Sequence, residues 1–222
     1  MFVGHFAVGF AAKRVAPKAS IGTLLLAALF ADALWVVFLA AGVEHVAIKP
    51  GITVVNALDL YDFSISHSLA MDIVWGVLFA GIYFWRRCDS RAAWAIFAAV
   101  LSHWVLDFAS HRPDMPLAPG VHRYFGLGLW NSAIATLLVE GLLWIGGLWV
   151  YIRATRPVTK LGTYAFSAMI VLLTLLWLGS LGGTPPPSVS ALTFVNVILF
   201  VIVLGWAYWI DRLRPARIPG PA

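Results

Sequence analysis

Charged residues and cysteine are both scarce in this chain. Only 11% of its 222 residues are Asp, Glu, Lys or Arg, whereas soluble domains usually carry about 25%. A soluble fold would have too little polar surface at this composition, so the sequence predicts an integral membrane protein. The single cysteine, Cys88, excludes an internal disulfide bond and a cysteine-rich metal site.

The chain also lacks the continuous basic surface of a nucleic-acid-binding protein. Its formal charge is +5, but the basic residues stand in short clusters between apolar runs, which is typical of membrane topology. We therefore expect membrane lipids, and no nucleic acid, as partners. The first segment, MFVGHFAVGFAAKRVAP, lacks the positive charges that precede the apolar region of a secretory signal. It predicts a retained, short N-terminal apolar helix.

Six further apolar stretches are long enough, at about 20 residues, to cross a hydrocarbon core. Each must be helical, because an unpaired backbone group cannot face lipid. The predicted fold class is all-α, a polytopic transmembrane bundle of six spanning helices plus the short N-terminal helix. The predicted spans are roughly 20–42, 63–86, 91–111, 127–153, 161–181 and 190–210.

The distribution of Lys and Arg predicts the orientation. Twelve of these residues fall on one side of the predicted membrane, and only Lys49, Arg112 and Arg123 fall on the other. Positive charges concentrate in cytoplasmic loops, so we expect the first side, with the C-terminus, to be cytoplasmic. This indicates a multi-pass protein of a bacterial-type inner (cytoplasmic) membrane, with the loops 43–62 and 112–126 facing outward.

The last two predicted spans have almost no polar side chains that could bind a ligand or react. Between Leu161 and Ile210 there is no Asp, Glu, His, Lys or Arg, and Asn196 is the only amide. We therefore divide the chain into a membrane-embedded part, 1–153, that holds the polar candidates, and a part, 154–222, with two apolar helices and a basic tail. Function is expected in the first part.

Several acids and histidines in residues 1–153 are predicted to lie at one depth in the membrane. A helix rises 1.5 Å per residue, so five of them lie about 18–21 Å above the basic clusters, with Asp107 and His67 a turn or two higher. A charge in the middle of the bilayer costs at least about 2.5–3.5 kcal/mol. We therefore expect these groups to face one another in a polar cavity that opens outward. The five are His5, Asp32, Asp72, His103 and Glu140.

The stretch LSHWVLDFASHRPDMP, residues 101–116, carries the clearest pair of metal ligands. His103 and Asp107 are four residues apart and share a helix face, which suits a divalent metal ion. His111 continues the same row. Pro113 predicts that the helix ends near it, so His111 and Asp114 are read as ordinary loop residues. Without a usable thiolate, zinc is the first expectation, with manganese or iron as alternatives.

His67 opens the second predicted span and is expected to be a ligand or a general acid/base. Asp72, five residues later, points away from it. We expect it to orient an imidazole by a hydrogen bond to the ring nitrogen that does not bind the metal. Acids and histidines of the polar loops are expected to be mostly solvated. They are Glu44, His45, Asp59, Asp62 and His122.

This arrangement of motifs resembles the YdjM-like family of inner-membrane proteins, whose proposed activity is metal-dependent hydrolysis. The resemblance covers roughly residues 1–110 and implies a metal site. Its motifs are GHFAVG, LFADALW, SHSL and SHWVLD, which contribute His5, Asp32, His67, His103 and Asp107. The chain departs from the family pattern at Leu34, where the family has a second carboxylate, and in YDFSISHS, which lacks the family's His-Arg-Gly lead-in. Glu44, Asp59 or Asp62 are candidates to compensate.

The sequence thus predicts a metal-dependent hydrolase that acts on an amphiphilic, lipid-like ester, phosphoester or amide. A bound divalent ion would lower the pKa of its water, and Asp72 or Glu140 would serve as base or outer support. Two alternatives use the same residues. One is a proton- or ion-coupled transporter, although the sequence lacks the inverted repeat that many transporters show. The other is a non-catalytic scaffold whose polar residues only hold helices together.

Overall fold

The structure is a computed structural model that describes residues 1–217. The end of the predicted basic tail, 218–222, lies outside the described residues. The described chain is mostly helical and forms a polytopic bundle, which confirms the predicted all-α class. Its helices are α1 (Val3–Val15), α2 (Ile21–Ala28), α3 (Phe30–Ala41), α4 (Ser64–His67), α5 (Leu69–Arg87), α6 (Ser90–Ser110), α7 (Ala133–Ala154), α8 (Lys160–Ser180) and α9 (Val189–Leu213).

Five helices, α5 to α9, are long and apolar enough to cross a membrane, and α2 with α3 makes a sixth span if the bent pair counts as one. The chain is therefore a multi-pass membrane protein. The predicted span 127–153 starts too early, because Gly128 adopts a left-handed backbone (φ 73°) and a 3-10 turn precedes α7. The side chain of Ser132 then caps α7 by accepting a hydrogen bond from the backbone N–H of Ala135.

The first predicted span, 20–42, is broken at Leu29, where α2 and α3 meet at an angle of 66°. The break contains neither proline nor glycine, so the local sequence gives no warning of it. It has two consequences for the polar residues. Asp32 lies in the first turn of α3, where the helix dipole favours a negative charge. The carbonyl oxygen of Ala28, at the end of α2, accepts a hydrogen bond from His103.

The short N-terminal helix α1 is present as predicted, and it lies inside the bundle against α2, α6 and α7. Glycine permits this close packing. A Cβ atom added to Gly147 of α7 would lie only 2.5 Å from the carbonyl oxygen of Ala7. A Cβ atom added to Gly9 would meet Leu25 in the same way. Thus His5 enters the bundle core on a helix that is too short to cross a membrane.

The two ends of the bundle differ. At one, which we call the basic end, Lys13 is buried and donates hydrogen bonds to the carbonyl oxygen of Ala19 and to Asp211. At the other, which we call the loop end, two small antiparallel hairpins cover the helices. They are β1 (His45–Ile48) with β2 (Leu58–Asp62), and β3 (Met115–Pro116) with β4 (Tyr124–Phe125).

Candidate metal centre

Side chains from α3, α4 and α6 meet inside the half of the bundle nearer the loop end. The Nε2 atom of His67 lies 3.5 Å from Oδ1 of Asp32, and Nε2 of His103 lies 3.8 Å from the same oxygen. The Nε2 atom of His103 is also 3.3 Å from Oδ2 of Asp107. Four of the predicted ligands, which lie far apart in the sequence, are therefore neighbours in space.

His103 is held in a tautomer that leaves its Nε2 atom free. Its Nδ1 atom lies 2.9 Å from the carbonyl oxygen of Ala28, and a carbonyl can only accept, so Nδ1 carries the proton. In the neutral ring, Nε2 is then a lone pair, and this buried atom has no hydrogen-bond partner in the described chain. Buried polar atoms nearly always have a partner, so a free Nε2 facing carboxylates indicates a place for a cation.

The Nδ1 atom of His67 is also held by a hydrogen bond, which Ser66 makes with the support of Glu44. This Nδ1 atom is 2.7 Å from Oγ of Ser66, which is 2.6 Å from Oε2 of Glu44. Because an ionised carboxylate only accepts, the Ser66 hydroxyl donates to Glu44 and accepts from the imidazole. The sequence predicts a solvated Glu44, but its side chain is 1% exposed and also accepts hydrogen bonds from the backbone N–H groups of Ile65 and Ser66.

His111 is a third imidazole of this kind, and the prediction of an ordinary loop residue was wrong. It is 3% exposed, with Nδ1 at 2.9 Å from Oδ1 of Asp114 and Nε2 at 3.5 Å from Oδ2 of Asp107. Its ring packs against those of Phe63 and Trp130. The signal was in the sequence, since positions 103, 107 and 111 form one row at a spacing of four.

His5 approaches the other oxygen of Asp107. Its Nε2 atom is 3.0 Å from Oδ1 of Asp107, and its ring stacks on that of His103 with 3.8 Å between the centroids. The amino group of Met1 donates hydrogen bonds to Asp107 and, over 3.1 Å, to Oγ of Ser110. It also lies 3.0 Å from Nε2 of His5. A positive charge therefore already lies against this carboxylate.

Two groups of three residues bring their ligand atoms within 4.8 Å of one another: Asp32, His67 and His103 in the first, and His5, His103 and Asp107 in the second. Metal–ligand bonds of about 2.0–2.2 Å place two ligands of one ion roughly 3–4 Å apart. The observed separations match this range. A buried His/Asp group of this kind can hold a divalent metal ion, and nitrogen with carboxylate oxygen is a ligand set that suits zinc, manganese or iron.

The two predicted bases lie in different places. Glu140 is buried and accepts a hydrogen bond from the backbone N–H of Phe2 over 2.9 Å, and it lines the cavity described below. Asp72 accepts from the backbone N–H of Trp104, and no hydrogen bond joins it to an imidazole within residues 1–217. The task of orienting imidazoles, predicted for Asp72, falls instead to Ala28, Ser66 and Asp114.

The other two loop acids, Asp59 and Asp62, form ion pairs at the loop end. Asp62 pairs with His45 at the surface. Asp59 accepts hydrogen bonds from Lys49 and Arg112, and these contacts, the one from Lys49 first, lower the pKa of its carboxyl below the ordinary value of 3.8. Arg112 also donates to Asp114, which holds His111. Asp59 is only 7% exposed, so the prediction of a solvated side chain was wrong for it. The carboxylate of Asp114 connects its ion pair with Arg112 to the cluster.

A cavity of about 410 Å³ extends from the cluster to the loop end. One wall is polar and is formed by Asp32, His67, Asp107, His111 and Glu140. Apolar side chains also line the cavity, many of them from α8 and α9, including Leu173, Trp177, Phe200 and Val203. Residues 55–58 and 183–186 line its outer part. The two last helices therefore shape the site although no ionisable side chain of theirs lines the cavity.

Two tryptophans of the cavity wall carry buried donors without an acceptor. The Nε1 atoms of Trp35 and Trp177 have no hydrogen-bond partner within the described chain. Trp35 is three residues after Asp32, so both lie on one face of α3, and its ring is 6.3 Å from that of His67. An indole N–H placed beside a candidate metal centre is suited to donate to an oxygen of a bound molecule.

No family model, no curated protein and no solved structure matches this chain. The resemblance to the YdjM-like family stays a prediction from the quoted motifs. What the chain does is therefore inferred from its own side chains, and above all from the groups around Asp32 and Asp107.

Proposed function

We propose that this protein is a membrane-embedded, metal-dependent hydrolase. One observation carries the proposal: three imidazoles give their Nδ1 protons to other groups and turn Nε2 toward two carboxylates, one of them buried and the other partly exposed. The imidazoles belong to His67, His103 and His111, and the carboxylates to Asp32 and Asp107. Helix packing alone would not require the same tautomer three times around two acids.

A divalent ion held there, with zinc as the first candidate, would lower the pKa of a bound water and make hydroxide available near neutral pH. Asp32, His67 and His103 would hold it, and Asp107 lies next to them. The groups behind the imidazoles fix each ring and its tautomer, which strengthens it as a ligand. Glu140, which lines the cavity, is the better placed of the two predicted bases.

The cavity supports an amphiphilic substrate. The cavity lining combines the candidate ligands with apolar side chains of α8 and α9, so one molecule can place a hydrolysable group beside the ligands and a hydrocarbon chain beside the apolar side chains. An ester, a phosphoester or an amide of a lipid-like molecule fits this division. The indole N–H groups of Trp35 and Trp177, which have no acceptor within the described chain, are candidate donors for its oxygen atoms.

The charge distribution supports access from the outer side. The basic end carries most of the Lys and Arg residues, and such ends face the cytoplasm. The cavity reaches the loop end, which would then face outward from an inner (cytoplasmic) membrane of bacterial type. The resemblance to the YdjM-like family points to the same location and the same reaction class.

The closed basic end favours hydrolysis over proton- or ion-coupled transport. Beneath the cluster the core is filled by apolar side chains without solvent exposure, among them Phe10, Ile21, Leu24, Leu25 and Ile96. A transported ion would need a polar route through this layer. A hydrolase needs access from one side only, as the cavity provides.

The proposal is tested by assaying the purified protein with fluorogenic acyl esters, phosphodiesters and amides. Chelation should abolish hydrolysis of at least one class, and added Zn²⁺, Mn²⁺ or Fe²⁺ should restore it. Asp32→Asn should remove the activity, while Asp62→Asn, the same change at an exposed carboxylate, should leave it intact. Hydrolysis that resists chelation, or that is lost equally in both variants, would overturn the proposal.

A further inference from the structure

We propose that the substrate reacts at an uncharged carbonyl group, as a carboxylic ester or a carboxamide with a hydrocarbon chain, and that anionic phosphoesters are excluded. This inference rests on the proposed function and narrows its substrate class. Two features of the cavity carry it. One is the sign of the charges along the cavity wall, and the other is a pair of buried hydrogen-bond donors without an acceptor.

The cavity wall is acidic and has no basic side chain. Among the described residues that line it, Asp32, Asp107 and Glu140 are acids, and none is Lys or Arg. The one fixed positive charge of this lining is the amino group of Met1, which already donates to Asp107. This amino group and a bound divalent ion together balance the three carboxylates. No positive charge then remains for an anionic substrate.

The Lys and Arg side chains of the loop end are already paired or face solvent. Lys49 and Arg112 both donate to Asp59, and Arg112 also donates to Asp114. Arg123 is exposed and is not part of the cavity lining. Sites that transfer phosphoryl groups usually hold them with Arg, Lys or Mg²⁺. A phosphate monoester or diester would enter this cavity as an uncompensated charge, and burying such a charge is strongly unfavourable.

The unpaired donors of the cavity wall are neutral and suit a carbonyl oxygen. Trp35 and Trp177 are 7% and 5% exposed, and each has a buried Nε1–H group without an acceptor within residues 1–217. Buried donors nearly always have a partner, so we expect a bound molecule to supply the acceptor. A carbonyl oxygen accepts hydrogen bonds without bringing a negative charge to the acidic wall.

Both reactions are hydrolyses in which water is the only co-reactant. The water oxygen forms a bond to the carbonyl carbon, and the bond from this carbon to the ester oxygen or the amide nitrogen breaks. The departing oxygen or nitrogen takes up a proton that the water has lost. The products are a carboxylic acid and an alcohol or an amine. The hydrocarbon chain lies beside the apolar side chains of α8 and α9.

The experiment compares three chromogenic probes with chains of the same length: p-nitrophenyl octanoate, octanoyl p-nitroanilide and the anionic diester p-nitrophenyl octyl phosphate. With the Zn²⁺-loaded protein, we expect hydrolysis of the ester or the amide, and chelation should abolish it. For the diester, kcat/KM should be at least about 100-fold lower, which corresponds to about 2.7 kcal/mol. Asp32→Asn should hydrolyse none of the probes, which assigns the activity to this site rather than to a contaminant.

Competition tests the charge argument separately from the reactivity of the bonds. Octyl phosphate and octanol carry the same chain, but only octyl phosphate is an anion at neutral pH. Octyl phosphate should inhibit hydrolysis of the acyl probe no more strongly than octanol does. Asp62→Asn, which changes an exposed carboxylate outside the cavity lining, should show the same inhibition as the wild type.

The outcomes separate this inference from the proposed function. A kcat/KM for the diester within about 100-fold of that for the better acyl probe would overturn the inference and leave the hydrolase proposal intact. Stronger inhibition by octyl phosphate than by octanol would do the same. If chelation affects hydrolysis of none of the three probes, the hydrolase proposal fails and this inference fails with it.

Discussion

His103 and Asp107 lie one turn apart on α6, with 3.3 Å between Nε2 of the imidazole and Oδ2 of the carboxylate. Because Nδ1 of His103 already donates to Ala28, the neutral ring has no proton to offer Asp107. Two acceptors at this distance repel each other unless a cation lies between or beside them. The same applies to His111 and Asp107. The amino group of Met1 supplies one positive charge at the Oδ1 atom of Asp107, and a divalent ion near Oδ2 would stabilise both of these pairs.

Glu44→Gln tests the support behind His67. The amide of Gln can donate as well as accept, so the direction of its hydrogen bond with the Ser66 hydroxyl would no longer be set. The tautomer of His67 would then no longer be fixed. Replacing such an outer partner usually costs about 10- to 100-fold in metal affinity, and we expect a loss of this size. Competition with a chelator measures it, with Asp62→Asn as the exposed control. An unchanged affinity in folded Glu44→Gln would show that the contact has no role in metal binding.

Trp35→Phe tests the free indole donor beside the cluster. The change removes the Nε1–H group and keeps an aromatic ring, so the metal content should stay the same. Hydrolysis should slow, because a donor to the substrate or to its transition state is lost, at a cost of about 1–3 kcal/mol for a hydrogen bond left unmade. Activity and bound metal are measured on the same sample. Full activity would exclude Trp35 from substrate binding.

Asp59→Asn tests the ion pairs at the loop end. Lys49 and Arg112 lower the pKa of Asp59 in the folded protein. The ionised carboxylate therefore stabilises the fold at pH values above 3.8, its ordinary pKa. This contribution is lost as the pH falls through the lower pKa of the folded state. At neutral pH the variant should unfold at a lower temperature than the wild type. The difference should shrink toward pH 3. A constant difference across this range would contradict the assigned ion pairs.

The spans and the depth of the polar residues could be predicted from the sequence, because both depend on short-range rules. An apolar stretch of about 20 residues must be helical in lipid, and a fixed rise per residue gives the height of each side chain. These two rules brought Asp32, His67, His103 and Asp107 to a similar level. The structure places them in contact.

The groups that form hydrogen bonds with the Nδ1 atoms of the imidazoles could not be predicted from these two rules. The break at Leu29 is an interruption without proline or glycine, and the hydrogen bond from His103 to Ala28 is a contact between distant helices. Glu44 stands in a polar loop, where an acid is normally solvated. Its burial depends on the backbone N–H groups of Ile65 and Ser66, which only the folded chain places beside it.

The most direct test of a metal centre at His103 is elemental analysis of the purified wild type beside His103→Ala and His122→Ala. We expect at least one equivalent of a divalent metal per chain in the wild type and in His122→Ala, and at least one equivalent fewer in folded His103→Ala. Equal metal content in all three proteins, or none in any of them, would contradict it.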